Sequence, residues 1–432
     1  MSDFSIQHIK LSVPLAFAIS VMPFFVTLCH FGLIFFGIAW LLDGKWKEKW
    51  TQLLTHPYVI VFLLFFLINL FGAFYSTDKH AAWFNFEKKA FLFALPPMLA
   101  SIKLDQKDVR QLLRLFIISC LVATIFCLFN AFVRINQLSP PFLFGSYTDT
   151  SFYDINAEQA NAWKLLSYAD LSSAIGIHPA YLSLYLTFCL LLIFHFYARS
   201  FTSLSRSKKI ILTVLLLYFT MFILLLSTRI IILSLSIITI YAAIQFLKKY
   251  SYLVSIAGCV AVVILLAGII YLNPVSRFRN FQEISTTWPY LKPGFQTQST
   301  TIRASLWSLS IQSFPKINWL LGTGTGDVEH IMAETGRDKN ISNVLGTNDP
   351  HNQYLHTLLG SGILGFGILL VYFIWPIWSS YHAGNLLYVG FAFLFITLCM
   401  TETALELQKG VIFYGLIGSL ILFQSPTKPT IS

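Results

Sequence analysis

The chain has 432 residues, 56% hydrophobic and only 11% charged. A soluble domain carries about 25% charged residues, so a soluble enzyme, a disordered scaffold and a collagen-like fibre are excluded. Continuous apolar runs, about twice the ten-residue alternating segments of an outer-membrane barrel, exclude that class too. The net charge of +10, from 29 Lys and Arg against 19 Asp and Glu, is largely what the positive-inside rule puts in cytoplasmic loops, so it does not imply nucleic acid.

Hydropathy predicts an all-α, polytopic membrane protein of about 12 transmembrane helices. The first apolar block, 9–43, breaks near Cys29 and His30 and is expected to form spans at about 9–26 and 28–43. Lys10 precedes a stretch too long for the h-region of a cleavable signal. A basic loop with Lys45, Lys47 and Lys49 follows, then spans at about 57–75, 87–102 and 112–133. A polar stretch at 135–177 leads to spans at about 178–197, 210–226, 229–247 and 252–272. The long polar segment 273–353 precedes the last spans, about 354–377, 385–402 and 409–424. The organisation expected is thus 1–272 with nine helices, 273–353 as an outer segment with short helices, and 354–432 with three helices and a tail.

Short loops rich in Lys and Arg (Lys103, Lys107, Arg110 and Arg114; Arg199, Arg206, Lys208 and Lys209; Lys248 and Lys249) alternate onto one side. That side is expected to be cytoplasmic. Loop 76–88, with Lys79 and Lys88, goes slightly against the bias. The cysteines at 29, 120, 127, 189, 259 and 399 all lie in apolar runs without metal-site spacing and are expected to be buried.

Two features ask for more than topology. The outer segment 273–353 holds Arg277, Arg279, Lys292, Arg303, Lys316, Arg337 and Lys339, a basic surface suited to an anionic ligand. Arg229 sits in LLLSTRIIILSLS, between two spans with almost no loop. A charge so close to hydrocarbon is a functional hypothesis, unless it snorkels to the interface.

Candidate chemistry gathers around that outer segment. Gly322, Gly324 and Gly326 in GTGTG give a turn whose backbone can approach a ligand. His351 follows Pro350 at the mouth of the next span, with Asn348 or Asp349 available as a helix cap. A neutral imidazole there suits proton abstraction from a hydroxyl, or else a structural hydrogen bond. His356, a turn further in, is read as a packing or hydrogen-bonding residue. Arg303 lies in TTIRASLWSLSIQSF, a short amphipathic helix on or near the membrane, and can fork two hydrogen bonds to a phosphate. His178 opens another span ahead of Pro179 and is either a ligand or a helix-start residue. Scattered outer acids and the lack of a Walker motif give no reason to expect a metal, a nucleotide or another cofactor.

The motifs STR, RASLW, GTGTG, and HNQYL followed by GSGILG, in this order over about 170–370, resemble the O-antigen ligase family. Its superfamily includes O-antigen polymerases and O-linking oligosaccharyltransferases. The resemblance implies a membrane-embedded, GT-C-like glycosyltransferase of the bacterial inner membrane with its active site facing the periplasm. The donor implied is a glycan on undecaprenyl pyrophosphate, and the acceptor a hydroxyl of lipid A–core or another glycan, within membrane lipid. The reaction implied is inverting, and independent of metal and ATP. Arg229 matches the Arg of the S-[TR]-R position, Arg303 that of R-x-x-L-W and His351 the His of H-N-x-x-L. These are the catalytic candidates, with Arg229, Arg303, His178, Asn352 and Tyr354 as substrate-binding candidates. A polymerase, a protein-directed transferase and a lipid-linked glycan transporter are the rival readings.

Overall fold

A computed structural model describes residues 11–137, 162–197, 203–235, 268, 299–338 and 349–424. The regular elements among them are helices: α1 (Ser12–Val21), α2 (Val26–Leu42), α3 (Trp46–Leu54), α4 (Val59–Tyr75), α5 (Lys79–Lys88), α6 (Ala90–Ala100), α7 (Gln106–Asn136), the short α8 (Ala162–Leu165) and α9 (Tyr168–Ser172), α10 (Pro179–Tyr197) and α11 (Arg206–Leu226). After these come α12 (Ser299–Ser313), α13 (Val328–Asp338), α14 (Gln353–His382), α15 (Leu386–Leu398) and α16 (Gln408–Gln424).

Four of them, α7, α10, α11 and α14, are long and apolar enough to cross a membrane. The pair α2 and α3, bent by 111°, makes a fifth if it forms one span. The described residues therefore carry four or five candidate spans against the about twelve expected from hydropathy. Several expected spans are helices of 10–17 residues, because hydropathy counts apolar residues and does not see where helices end. The first break falls at residues 22–25, around Pro23, and not at Cys29 and His30, which lie inside α2. Pro23 brings no backbone N–H to a helix, whereas Cys29 and His30 can continue one. The basic stretch after α2 is the helix α3, where Lys49 is buried, paired with Asp43 at 3.4 Å and lodged against the rings of Trp40 and Trp46. Loop 76–88 is likewise mostly helix, with Asp78 capping α5 through the N–H of Ala81.

Most of the spans expected at 229–247 and 252–272 lies outside the described residues, as do Lys10, Arg199, Lys248, Lys249, Cys259, Arg277, Arg279, Lys292, Lys339 and Asn348. The other five cysteines are buried and unbridged, as expected.

The chain forms two compact units, Met1–Leu115 with Tyr290–Ser432, and Phe116–Pro289. In the first, α4 packs on α14 through Phe62, Phe65 and Tyr372, with ring centroids 4.9 and 4.8 Å apart. Tyr414 of α16 packs against Phe395 of α15 at 4.6 Å. The far side of α2 leaves Phe31, Ile34, Phe35, Ile38, Leu41 and Leu42 exposed, an apolar stripe that suits a lipid solvent.

The helix α14 is broken at Gly362, whose φ of 61° and ψ of −165° only glycine adopts easily. The chain at 319–324 fills the break. Trp319 and Leu320 carbonyls accept from the N–H of Ile363 and Leu364, while Thr323 and Gly324 N–H donate to Leu359 and Gly360. The glycines of GTGTG are used for this close docking. A Cβ at Gly322 would collide with the backbone of Leu359 and Gly360, at Gly324 with Ser76, and at Gly326 with Asp78 and Ala82. Asp327 seals the contact by accepting from the Thr77 N–H and hydroxyl and from the Asp78 N–H, at 2.7, 2.7 and 2.9 Å.

In the second unit α10 is buried along most of its length and packs on α11. Phe116 of α7 meets Tyr185 and Phe188 of α10, each at 5.8 Å.

Candidate functional site

In the first unit, α12 brings Arg303 to the start of α14. Leu306 and Leu309 of α12 are buried against Val328 and Met332 of α13 and Leu359 of α14, which fixes the helix and leaves Arg303 at the edge of the packed face. Here α12, expected to be amphipathic and near the membrane, lays its apolar face on protein. Arg303 donates from Nη2 to Oε1 of Glu402 at 2.7 Å. Its Nε is buried with no hydrogen-bond partner among the described residues, and so is Nε1 of Trp307, four residues on.

The other oxygen of Glu402, Oε2, lies 3.6 Å from Nδ1 of His351. That is an ion-pair distance, just beyond a hydrogen bond. Glu402 thus stands between an Arg and a His while being 5% exposed at its side chain, against 27% for Arg303 and 34% for His351. The Glu402 carboxylate raises the imidazole of His351 above its ordinary range. Burial pulls it down, Asp349 adds to the rise and Arg303 opposes it.

His351 has a φ of 46°, the left-handed region that a side chain enters only when its surroundings hold it. Asp349 does the holding. It accepts the His351 N–H at 2.8 Å with Oδ1 and the Thr403 hydroxyl at 2.8 Å with Oδ2. Asp349 therefore does not cap α14. Asn352 does, accepting from the N–H of Tyr354 and Leu355 at 3.0 and 3.1 Å and donating to the Met400 carbonyl at 3.0 Å. The Tyr354 hydroxyl donates to the Ile396 carbonyl at 2.9 Å. The polar groups of both candidates thus engage the protein itself.

A second charged cluster lies on the same chain segment, 399–407, between α15 and α16. Glu406 meets Lys89 at 2.8 Å and His356 at 3.4 Å, and accepts from Gln353 at 3.2 Å. Lys89 also donates to Asn69 at 2.9 Å. His356 is, as read from the sequence, a packed and paired residue. Burial pushes the Glu406 carboxyl up, but Lys89, His356 and Gln353 outweigh it and hold it down at about 2.

Arg229 and His178 belong to the second unit. Ser227, with a φ of 50°, ends α11, and the Thr228 carbonyl accepts from Ile231 and Ile232 to start the next helical run at Arg229, which is half-buried. His178 is exposed and sits ahead of Pro179, where Nδ1 accepts the N–H of Ala180 at 3.4 Å and the ring meets Tyr168 edge-on at 6.2 Å. That is the geometry of a helix-start residue.

The structure brings together Arg303, His351, Asn352 and Tyr354, and adds Glu402, Glu406 and Lys89, which sequence reasoning passed over. The signal was there. TETALE places two acids four apart in an otherwise apolar C-terminal region, and ionisable groups in such a setting are functional hypotheses by default.

Among the described residues, helices of this length and apolarity, with an apolar outer stripe, are those of an all-helical, multi-pass membrane protein. No curated protein matches the chain. The family model Wzy_C, described as O-Antigen ligase, matches residues 213–370, a stretch that includes Arg229, Arg303 and His351. Over that stretch the chain is similar to the O-antigen ligase family, in agreement with the motif order.

Proposed function

We propose that the protein is an O-antigen ligase-like glycosyltransferase of the bacterial inner membrane. It moves a glycan from undecaprenyl pyrophosphate to a hydroxyl of lipid A–core at the periplasmic face, with inversion and without a metal. The observation that carries this reading is the Arg303–Glu402–His351 constellation at the start of an apolar helix, with Arg303 and His351 inside the family segment.

Its chemistry fits the reaction. The acceptor oxygen attacks the anomeric carbon and its proton passes to His351. The bond from that carbon to the phosphate oxygen breaks, and undecaprenyl pyrophosphate leaves with the electron pair. Negative charge develops on the leaving group, where guanidinium groups stabilise it. Arg303 meets that need with the guanidinium donors that it does not give to Glu402, on a side chain that is 27% exposed. Arg229 has the same role in this scheme. Asn352 and Tyr354 shape the start of α14, next to His351, and His178 has the role of a substrate-binding residue in this scheme. The reaction energy is stored in the donor, so no nucleotide is required.

Reconstitution tests this. Purified protein, undecaprenyl-pyrophosphate glycan and lipid A–core are combined with EDTA and no ATP. Conversion of the core to a glycan-bearing ladder, lost in His351→Ala, is the expected result. Longer lipid-linked chains with no transfer to the core would reassign the protein to the polymerases, and transfer to a protein hydroxyl to the oligosaccharyltransferases. No turnover with any acceptor would leave a transporter.

A further inference from the structure

We propose that Glu402 is a positioning residue of this site, holding Arg303 with one carboxylate oxygen and the His351 ring with the other, so that Nε2 of the imidazole is the atom left to take the acceptor proton. The inference rests on the glycosyl-transfer reading above and adds to it a residue outside the matched segment 213–370.

Three observations carry it. The first is the division of labour between the oxygens: Oε1 takes the Arg303 Nη2 at 2.7 Å and Oε2 faces His351 Nδ1 at 3.6 Å. A carboxylate on one ring nitrogen selects the tautomer and supports the imidazolium that forms when the other nitrogen accepts a proton. The second is exposure. Glu402 is the sealed member of the trio, and Arg303 and His351 are its partly open members. The two groups that would touch substrate are reachable, and the one that would orient them is not.

The third is anchoring. On one side of Glu402, Met400 accepts from Asn352. On the other, Thr403 donates to Asp349, and Glu406 is pinned by Lys89, His356 and Gln353. Asp349 also holds the His351 backbone. The segment 399–407 therefore fixes the main chain of His351 through Asp349 and sets a carboxylate at ion-pair distance from its ring. The charged groups facing His351 are Asp349 on its own segment, Glu402 on 399–407 and Arg303 on α12. The two acids favour the imidazolium and Arg303 opposes it.

The test compares wild type with Glu402→Gln and Glu402→Asp in nanodiscs, using two readouts. In the first, His351 is titrated by NMR of 15N-histidine-labelled protein, with the signal assigned by its loss in His351→Asn. In the second, the transfer rate is measured against pH with undecaprenyl-pyrophosphate glycan and lipid A–core. E402Q is expected to lower the His351 midpoint, slow transfer by about tenfold or more, and move the acid limb of the rate profile to lower pH in step. E402D, which keeps the charge, is expected to recover part of both.

A His351 midpoint unchanged in a monodisperse E402Q would overturn the proposal. So would a slower E402Q whose acid limb stays in place, since that is what a structural role alone produces. If E402Q does not fold, E402D decides, because its shortened carboxylate must still lower the midpoint. Absence of transfer by the wild type, with the midpoint shift present, would sink the glycosyl-transfer reading and leave the Glu402–His351 pairing standing.

Discussion

Glu402 and Glu406 lie four residues apart on one segment, and each is paired with a base and an imidazole, yet the two clusters are built for opposite ends. Around Glu402 the partners Arg303 and His351 are about a third exposed, while around Glu406 the partners Lys89 and His356 are 4% and 10% exposed at their side chains. The same three kinds of side chain therefore make a site when the cation and the ring face outward, and a clamp when they are sealed. In the open cluster, on the proposed reading, a phosphate adds to the donors that Arg303 does not give to Glu402. In the sealed one no ligand can reach, so the charges serve one another.

The comparison can be broken most forcefully at Lys89. Lys89→Met leaves Glu406 buried beside only His356 and Gln353, and breaking a buried pair from one side costs about 3–5 kcal/mol. A large fall in the thermal midpoint of the detergent-solubilised protein is expected, with much of it regained in Lys89→Met/Glu406→Leu. A Lys89→Met protein as stable as wild type would show the clamp is no clamp.

Arg303→Lys comes next. Glu402 keeps a cation, but the planar fork is gone, so transfer from the lipid-linked donor is expected to fall by about a hundredfold with the thermal midpoint unchanged. An equal loss of stability in both lysine-site and arginine-site variants would erase the difference between the clusters. Asn352→Ala removes the cap of α14 and is expected to cost about 1 kcal/mol, read from the same melting curves.

The smallest expected effect is none. The folded value of Glu406 lies at about 2, below its ordinary value near 4.5, so its contribution is present above about 4.5 and is lost as pH falls toward about 2. The difference in melting temperature between wild type and Glu406→Gln is therefore flat from about pH 5 to 8. His351 behaves oppositely. Its value is raised, so its contribution is complete below about 6.5 and is lost as pH rises through the folded value. The difference between wild type and His351→Ala should slope in that window.

The helical, lipid-facing character of the chain was legible in composition, because apolar runs of spanning length have few other uses. The ends of the helices were not. Pro23 and the bend between α2 and α3 are decided by backbone hydrogen bonding, to which hydropathy is blind. Arg303 and His351 were legible because their short motifs stand in a recognisable order. Glu402 was not, since its partners are 99 and 51 positions away in sequence and nothing local marks the pairing. The glycines of GTGTG were legible as sites of close approach, and what approaches them here is the backbone of α14, Ser76 and the start of α5.

The break at Gly362 reaches beyond geometry, into how the protein is made. Ile363 and Leu364 face outward, and their N–H groups find partners in Trp319 and Leu320, on the chain that precedes α13. In hydrocarbon a bare N–H has no water to turn to. A translocon releasing α14 alone would release a helix with a gap in its ladder. That gap stays open until 319–324 docks, which makes the stretch a splint for α14, the helix that follows His351.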